Sequence, residues 1–389
     1  MILKNIYSFV FVFMYVVNIC GINILFVTGS FPHVSQRFIQ DQIVKLINNG
    51  HSAHIQSLRL PKTDHLPIDF TKYKLIKKTF YGKELPPLEL FDIVYVQFGY
   101  HGQQVVEQAK KQGFKGPIVV CFRGNDLSGY LQKNPQRYEQ LFKDADLFLP
   151  VCNFFGQRLV QLGCDCAKII THHSAININF FAFKKRTINS AQKLNLISVC
   201  RLVEKKGLIF AIKAVSILKK KYPHIKYTIV GDADTVSKAY KEYLQQLVKE
   251  LGLEQQVLFY GWATHEELMP LLDKADIFLL PSITAADGDE EGIPNAAKEA
   301  MAVGLPVIIT DHAGNSELVE HEKTGLLVKQ KDELEIVKAV YWYIQHPQQL
   351  KQITQKAREK IEQEFAIDTT VKKLEAIFEQ LLINKKAHK

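Results

Sequence analysis

Arg201 and Lys206 are two cations five positions apart, between a predicted strand and a predicted helix that begins at Gly207. A helix N-terminus presents unpaired N–H groups and the positive end of the helix dipole, and both favour an anion. An arginine fork beside a lysine point charge suits a diphosphate. The pair therefore predicts a phosphate site. A solvated basic loop is the alternative that the pair alone leaves open.

Glu291 and Glu299 are two carboxylates at the start of, and inside, a second predicted helix. Gly292 and Pro294 set the start of that helix, so we expect the N–H groups of the next residues to face a ligand. Those residues are Ile293 and Asn295. A carboxylate on this helix of small and apolar residues, as at Glu299, either accepts sugar hydroxyls or is the partner in a buried ion pair. The alternative is a helix-capping acid at 291 and an ordinary surface glutamate at 299.

These side chains belong to an alternating pattern of strands and helices. Runs of Val, Ile, Leu and Phe separated by amphipathic helices indicate parallel sheets covered on both faces. We therefore predict an α/β fold with two Rossmann-like doubly wound domains that face each other across a cleft, where such sheets bind ligands. The predicted strands span residues 24–28, 54–58, 93–97, 118–122, 147–151, 194–199, 226–230, 257–260, 277–280, 306–310 and 325–328. The predicted helices span residues 37–49, 105–112, 207–220, 237–250, 265–274, 295–303 and 368–384.

The composition is that of a folded protein with more than one domain. The chain has 389 residues, of which 47% are apolar and 23% charged, so a disordered chain, a collagen-like repeat and a polytopic membrane protein are excluded. Six cysteines are too few for a disulfide scaffold. The net charge of +9 is compatible with anionic ligands, nucleic acid or an anionic membrane surface, and does not choose among them.

Four segments follow from the pattern. We predict that residues 1–21 are an apolar leader or anchor, or an over-extended start, with an extra helix packed on the domain as the alternative. We place one Rossmann-like domain at residues 22–180 and a second at 181–365, with the seam in the polar and basic stretch 177–192. Residues 366–389 form an amphipathic helix that we expect to pack back on the first domain.

Several motifs in order resemble one family. The spacing of Glu291 and Glu299 resembles the E-x7-E signature of GT-B fold retaining glycosyltransferases of family 4, and Arg201 and Lys206 match the pair that binds the donor diphosphate in that family. The segments 230–233, 257–261 and 275–282 match recurring segments in the same order. The stretch 284–294 is most similar to enzymes of exopolysaccharide assembly of the colanic-acid type.

The resemblance implies a function. The chain would move a sugar from a nucleoside diphosphate donor, bound by the second domain, to a glycan or lipid-linked acceptor, bound by the first. The reaction would retain anomeric configuration, without a metal, a cofactor or a protein nucleophile. It would serve cell-surface polysaccharide synthesis in the cytoplasm, with peripheral contact at the inner face of the membrane and no nucleic acid partner.

The same resemblance implies roles for individual residues. Arg201 and Lys206 would stabilise the departing diphosphate, and Glu291 would hold donor sugar hydroxyls. Glu299 would accept the ribose hydroxyls. The remaining donor contacts would come from the backbone of Gly292, Ile293, Pro294 and Asn295, and from Trp262 beside the base.

The first domain departs from the family pattern. Gly29 and Ser35, after the first strand, are candidate phosphate or acceptor contacts, although the usual pair of glycines is missing. Arg123 stands where many relatives have a histidine and cannot act as a base at neutral pH. Arg123 and Asp126 are interpreted either as acceptor contacts or as a structural ion pair. Gln97 likewise replaces a common histidine.

Two other functions stay open. A nucleotide-sugar epimerase would keep the fold and change the chemistry, and a non-catalytic binding module would use the net charge alone. The two D-x-D sequences, at 232–234 and 287–289, could suggest a metal, but turn formation is the favoured interpretation because each lies in a loop after a strand.

Overall fold

The computed structural model describes residues 21–33, 36–61, 71–134, 136–188 and 193–387 of the chain. The predicted leader, apart from Gly21, and the candidate contact Ser35 lie outside the described residues. Within the described ranges, no helix combines the length and the apolar character needed to cross a membrane.

The first half of the chain forms a six-stranded parallel sheet in the order β3-β2-β1-β4-β5-β6. Its strands are β1 (Asn23–Ser30), β2 (Ser52–Arg59), β3 (Thr79–Tyr81), β4 (Ile93–Val96), β5 (Ile118–Phe122) and β6 (Leu147–Pro150). Its helices are α1 (Arg37–Asn48), α2 (Gly99–Lys111), α3 (Gly129–Lys133), α4 (Glu139–Asp144) and α5 (Asn153–Gln161).

The second half repeats the arrangement, with the strand order β12-β11-β10-β7-β8-β9. Its strands are β7 (Asn195–Val199), β8 (Lys226–Val230), β9 (Val257–Gly261), β10 (Ile277–Leu280), β11 (Val307–Thr310) and β12 (Leu326–Val328). Its helices are α6 (Leu208–Leu218), α7 (Lys238–Glu250), α8 (His265–Lys274), α9 (Asn295–Ala302), α10 (Asn315–Leu318), α11 (Glu333–Gln345) and α12 (Pro347–Lys360). The predicted α/β fold with two doubly wound parallel sheets is confirmed.

Burial explains why these runs form central strands. All four residues of β4, β10 and β11 are buried, as are all five of β5. Parallel strands with helices on both faces have no solvated side, so nearly every side chain must be apolar. This is why the central strands appear in the sequence as unbroken apolar runs.

The last helix, α13 (Ile367–Ala387), crosses back to the first sheet. Phe378 packs edge-on against Tyr95 of β4, with ring centroids 5.5 Å apart, and Glu375 accepts a hydrogen bond of 2.7 Å from the Asn49 side chain. Lys385 forms an ion pair with Asp146 at 2.7 Å. The helix therefore covers the first domain although it follows the second in the chain.

The two chain segments that pass between the domains are hydrogen-bonded to each other. Ile176 N donates to Phe365 O at 3.0 Å, and Ile367 N donates to Ile176 O at 2.9 Å. Residues 361–365 immediately before this bridge form a single π-helical turn. The two crossings thus run side by side.

Candidate active site

The candidate site lies at the switch point of the second sheet, where β7 and β10 are neighbours and the chain leaves them in opposite directions. Ligands of doubly wound sheets bind at such points, beyond the carboxyl ends of the strands. The loop after β7 carries Arg201 and Lys206, and the loop after β10 carries Glu291. The two loops meet at Gly207, which has a φ of +65° and packs against the carbonyl oxygen of Pro281.

Lys206 and Glu291 form an ion pair across these two loops. Both side chains are largely buried, with exposed fractions of 11% and 15%. Burial alone would raise the pKa of the Glu291 carboxyl, but the charges of Lys206 and Lys205 outweigh it and lower that pKa to about 2. Glu291 is therefore a fixed anion at neutral pH, with a cation beside it.

Arg201 stands at the open side of this pair. Its side chain is about half exposed and reaches Asp234 at 3.9 Å. Its charge also contributes to the lowered pKa of Glu291. The charges of Arg201 and Lys206 thus act on the same carboxylate, Arg201 from the exposed side and Lys206 from within the ion pair.

The backbone predicted to face the donor connects this centre to α9. Pro294 is the cap residue before α9, and Gly292 packs on the first domain, close to the Arg123 carbonyl and the Val151 side chain. Gly292, Ile293 and Pro294 are buried, whereas Asn295 is half-buried. This segment therefore lies in the contact between the domains.

Glu299 lies one turn further along α9, beside the fully buried Lys298. Burial raises the pKa of Glu299 to about 7, and the charge of Asp41 in α1 adds to the increase, against the charges of Lys298 and Arg37. Burial lowers the pKa of Lys298 to about 7. The Lys298 ammonium donates to the Ser174 carbonyl of the first domain at 2.6 Å and to Asn295 Oδ1 at 3.1 Å.

The titration of Glu299 gives a testable pH dependence. If the carboxylate accepts ribose hydroxyls, nucleoside diphosphate affinity should rise about tenfold from pH 6 to pH 8, as the fraction of ionised Glu299 rises through a pKa near 7. Calorimetric titration at several pH values measures this. Glu299→Gln removes the titration, so the ratio of wild-type to variant affinity cancels the ionisation of the ligand. A ratio that is flat with pH would exclude Glu299 from nucleotide binding.

The first domain presents its own switch point between β1 and β4. Gly29, at the carboxyl end of β1, lies so close to His101 of α2 that a Cβ at position 29 would be 2.9 Å from His101 Nε2. His101 is buried, and burial with the nearby charge of Arg59 lowers its pKa to about 4. A neutral histidine therefore lies beside Gly29. The sequence predicted only Gly29 and Ser35 as candidate contacts after the first predicted strand.

Arg123 is held by three neighbours at this edge. Its guanidinium donates to Ser174 Oγ at 2.8 Å and to Gln97 Oε1 at 2.6 Å, and it lies 4.5 Å from the ring centroid of Phe38. Gln97, which replaces the common histidine, is fully buried and supports this arginine.

Asp126 is buried beside Arg123, at the start of the loop that follows β5. The carboxylate is 1% exposed and accepts hydrogen bonds from the backbone N–H groups of Gly99, Arg123 and Gly124 at 2.8 to 3.2 Å. It shapes the loop after β5. Burial raises its pKa, and these backbone hydrogen bonds and the charge of Arg123 act against that increase.

Trp262 follows β9, the edge strand of the second sheet, and its side chain is 54% exposed. This position is two strands from β7. The structure therefore places the tryptophan on the rim of the sheet, outside the cluster formed by Lys206 and Glu291.

The aspartates of the two D-x-D sequences have protein partners. Asp234 Oδ1 caps a turn by accepting from Val236 N and Ser237 N, at 3.1 and 2.9 Å, and Asp232 pairs with Lys241 at 2.6 Å. Asp289 pairs with Lys205 at 3.0 Å. Across the described ranges, no three side chains among His, Cys, Asp and Glu converge as metal ligands would.

Sequence reasoning missed His101, Lys205 and Lys298. Lys205 is 7% exposed on its side chain and donates to the Glu290 carbonyl at 3.1 Å. Lys205 is buried and Lys206 faces the cleft. Two consecutive lysines look alike in the sequence, so this difference could not be predicted from it. A lysine at position 298 within a run of alanines and other buried residues was the available signal for a buried cation.

Two doubly wound parallel sheets, joined by two crossings and with charged loops at a switch point, define the GT-B class of glycosyltransferases. The fold is that of solved members. HepE of Anabaena, crystallised with UDP, matches with a TM-score of 0.74 at 20% identity, over 92% of this chain and 100% of that one. Sucrose-phosphate synthase of Thermosynechococcus elongatus matches with a TM-score of 0.72 at 16% identity, over 93% and 99%.

The sequence profile of the glycosyl transferases group 1 family matches residues 180–360. The chain is 37% identical to the amylovoran biosynthesis glycosyltransferase AmsK of Erwinia amylovora, over 75% of this chain and 70% of that protein. It is 31% identical to the putative colanic acid biosynthesis glycosyltransferase WcaL of Escherichia coli, over 90% and 98%. The chain belongs to the glycosyl transferases group 1 family and is a glycosyltransferase, as the sequence predicted.

Proposed function

We propose that this glycosyltransferase moves a sugar from a nucleoside diphosphate donor to a glycan or lipid-linked acceptor during cell-surface polysaccharide synthesis. The observation that carries the proposal is the Lys206–Glu291 ion pair with Arg201 beside it at the switch point. Support for the polysaccharide comes from relatives that act in amylovoran and colanic acid biosynthesis, and support for the donor from the UDP bound to HepE.

The pair suggests how the donor is handled. Lys206 and Arg201 would bind the diphosphate and balance the charge that develops as it leaves, the kind of preorganised electrostatic stabilisation that contributes most to catalysis. Glu291 would then accept hydroxyl groups of the sugar. The charges of Lys206 and Lys205 lower the pKa of this carboxylate to about 2, so it stays ionised and cannot act as a general acid. We propose that anomeric configuration is retained without a covalent intermediate on Glu291, because this carboxylate is already engaged by Lys206.

Metal independence and location belong to the same proposal. Two cations stand where a divalent ion would otherwise neutralise the diphosphate, and the D-x-D aspartates at 232, 234 and 289 are engaged with protein groups. The net charge of +9 and the predicted apolar leader favour peripheral contact with anionic lipid at the cytoplasmic face of the membrane.

Binding of nucleoside diphosphates to the purified chain tests the proposal. At least one member of a panel of nucleoside diphosphates and nucleotide sugars should raise the melting temperature, because a ligand of the native state stabilises it. The responding donor should release nucleoside diphosphate faster when glycan acceptor is added, equally in EDTA, and yield product with the donor's anomeric configuration. An epimerase would interconvert the sugar without acceptor, and a flat response to the panel would contradict the proposal.

A further inference from the structure

Glu290 is bound by both domains at once. Its backbone N–H donates to Ser128 Oγ at 3.1 Å and its carboxylate pairs with Arg158, and both partners belong to the first domain. Its carbonyl accepts from Lys205 Nζ at 3.1 Å and its other carboxylate oxygen from Thr284 Oγ1 at 3.2 Å, and these belong to the second. Every polar group of Glu290 therefore has a partner, and the partners are divided evenly between the domains.

Arg158 is the side chain of the first domain that holds this carboxylate. Its guanidinium also donates to the Leu127 carbonyl at 3.0 Å, and it lies 4.8 and 5.8 Å from the ring centroids of Phe154 and Phe155. Cation–π contacts and a fixed carbonyl restrict a guanidinium to one orientation. The exposed fractions of the Arg158 and Glu290 side chains, 26% and 13%, mean that the pair is partly shielded from water.

Glu290 and Glu291 are consecutive, and so are Lys205 and Lys206. Glu290 is bound by both domains, and Lys205 binds its carbonyl and Asp289 from within the second domain. The second residue of each doublet belongs to the Lys206–Glu291 pair. A displacement of Glu290 must therefore move the backbone that carries Glu291. Part of the restraint on the cleft carboxylate therefore comes from the opposite domain, through Ser128 and Arg158.

We propose that Arg158 is a positioning residue that sets Glu291 against the first domain by holding Glu290. This inference rests on the proposed function, in which Glu291 contacts the donor sugar. The recorded contacts of Arg158 are with Glu290, Leu127, Phe154 and Phe155, and none of these is among the residues proposed to bind the donor. It couples the separation of the two domains to the placement of the sugar-binding carboxylate.

The charges make the coupling specific. Removing the arginine leaves the Glu290 carboxylate shielded and unpaired, which is unfavourable, so the loop 284–292 should move to hydrate it. Removing the charges of both Arg158 and Glu290 leaves no unpaired carboxylate. Arg158→Gln and Glu290→Gln should therefore each impair the site, and the double variant should be no worse than either single one.

Hydrogen exchange tests the structural half of the proposal without any substrate. Backbone amides of residues 284–292 should exchange faster in Arg158→Gln than in wild type, and the double variant should show no further increase. Lys110→Gln is the matched control, because it removes an ion pair of 2.5 Å with Asp144 inside the first domain. Unchanged exchange of the loop in Arg158→Gln would overturn the proposal.

Kinetics test the catalytic half. Turnover is measured per nucleoside diphosphate binding site, which removes any effect of an unfolded fraction, and water serves as acceptor where the glycan is unidentified. For Arg158→Gln we expect kcat to fall roughly tenfold to a hundredfold, as for a displaced catalytic group. The KM for the donor should change less than about threefold, because Arg201 and Lys206 stay in place. Arg158→Lys should recover part of the lost kcat by restoring the charge.

The outcomes separate the two proposals. A wild-type chain that binds no nucleoside diphosphate contradicts the proposed function, and the exchange result still judges whether Arg158 holds the loop. If the wild type binds and turns over donor, additive losses in Arg158→Gln and Glu290→Gln would overturn the positioning role. The positioning role would be supported if Arg158→Gln and Glu290→Gln lowered both kcat and the protection of the loop from exchange to the same extent, and if the double variant were no worse than either.

Discussion

Replacement of Lys206 by alanine should lower the kcat for sugar transfer by about 10³-fold, the scale seen when one preorganised donor to a developing negative charge is removed. The effect has two causes. The diphosphate loses a cation, and Glu291 loses the ion pair that holds it. Because Lys206 lowers the pKa of Glu291, the variant should also raise that pKa above its present value of about 2. Steady-state kinetics with the donor identified by thermal shift measure the first effect.

The comparison that isolates this effect uses Lys220→Ala, which changes an exposed lysine of the same domain and should leave kcat unaltered. Lys206→Arg keeps the charge and should retain more activity than the alanine variant. Circular dichroism checks that each variant is folded. Wild-type kcat in a folded Lys206→Ala would remove Lys206 from the mechanism, and with it the main support for a diphosphate site.

Gly207→Ala should produce the largest loss of stability, about 3 kcal/mol in the free energy of unfolding. A left-handed backbone costs a residue with a Cβ about 1–2 kcal/mol, and overpacking adds about 1–3 kcal/mol. Gly207 has a φ of +65°, and a Cβ there would be 1.8 Å from the Pro281 carbonyl oxygen. The loops after β7 and β10 would have to separate, so nucleoside diphosphate affinity should fall together with stability.

Gly252→Ala separates the two contributions. Gly252 has a similar φ of +61° in the same domain, and nothing lies within 4 Å of a Cβ built there. Gly252→Ala should therefore lower the free energy of unfolding only by the cost of the left-handed backbone, about 1 kcal/mol. Urea denaturation compares the two variants. Equal losses would mean that the approach of the two loops contributes nothing to stability, and that the switch point is not held closed at Gly207.

The architecture was predictable because the central strands are buried on both faces and so appear as apolar runs of four or five residues. The edge strand β3 was missed because it is short and partly exposed. It has three residues, Thr79 to Tyr81, and Phe80 is 38% exposed, so no apolar run marks it. Helices α11 and α12 were also missing from the predicted elements.

The site was predictable as far as a motif extends along the chain. The ion pair between Lys206 and Glu291 joins residues 85 positions apart, and only the family resemblance suggested that they meet. Whether a lysine in a helix faces water or protein depends on distant partners. Lys298 is buried because Ser174 and Phe365 close over it from elsewhere in the chain. The contact between Arg158 and Glu290 could likewise not be predicted from the sequence, since an arginine on an amphipathic helix usually faces solvent.

The bridge between Ile176 and the segment 365–367 has a consequence for cutting the protein into pieces. A fragment ending before residue 366 would expose the apolar side of its first sheet, because Phe378 and its neighbours on α13 would be missing. A separately expressed first domain must therefore be built from two stretches of chain, with the last helix grafted on through a linker. The hydrogen bonds between the two crossings also mean that neither crossing can shift without displacing the other.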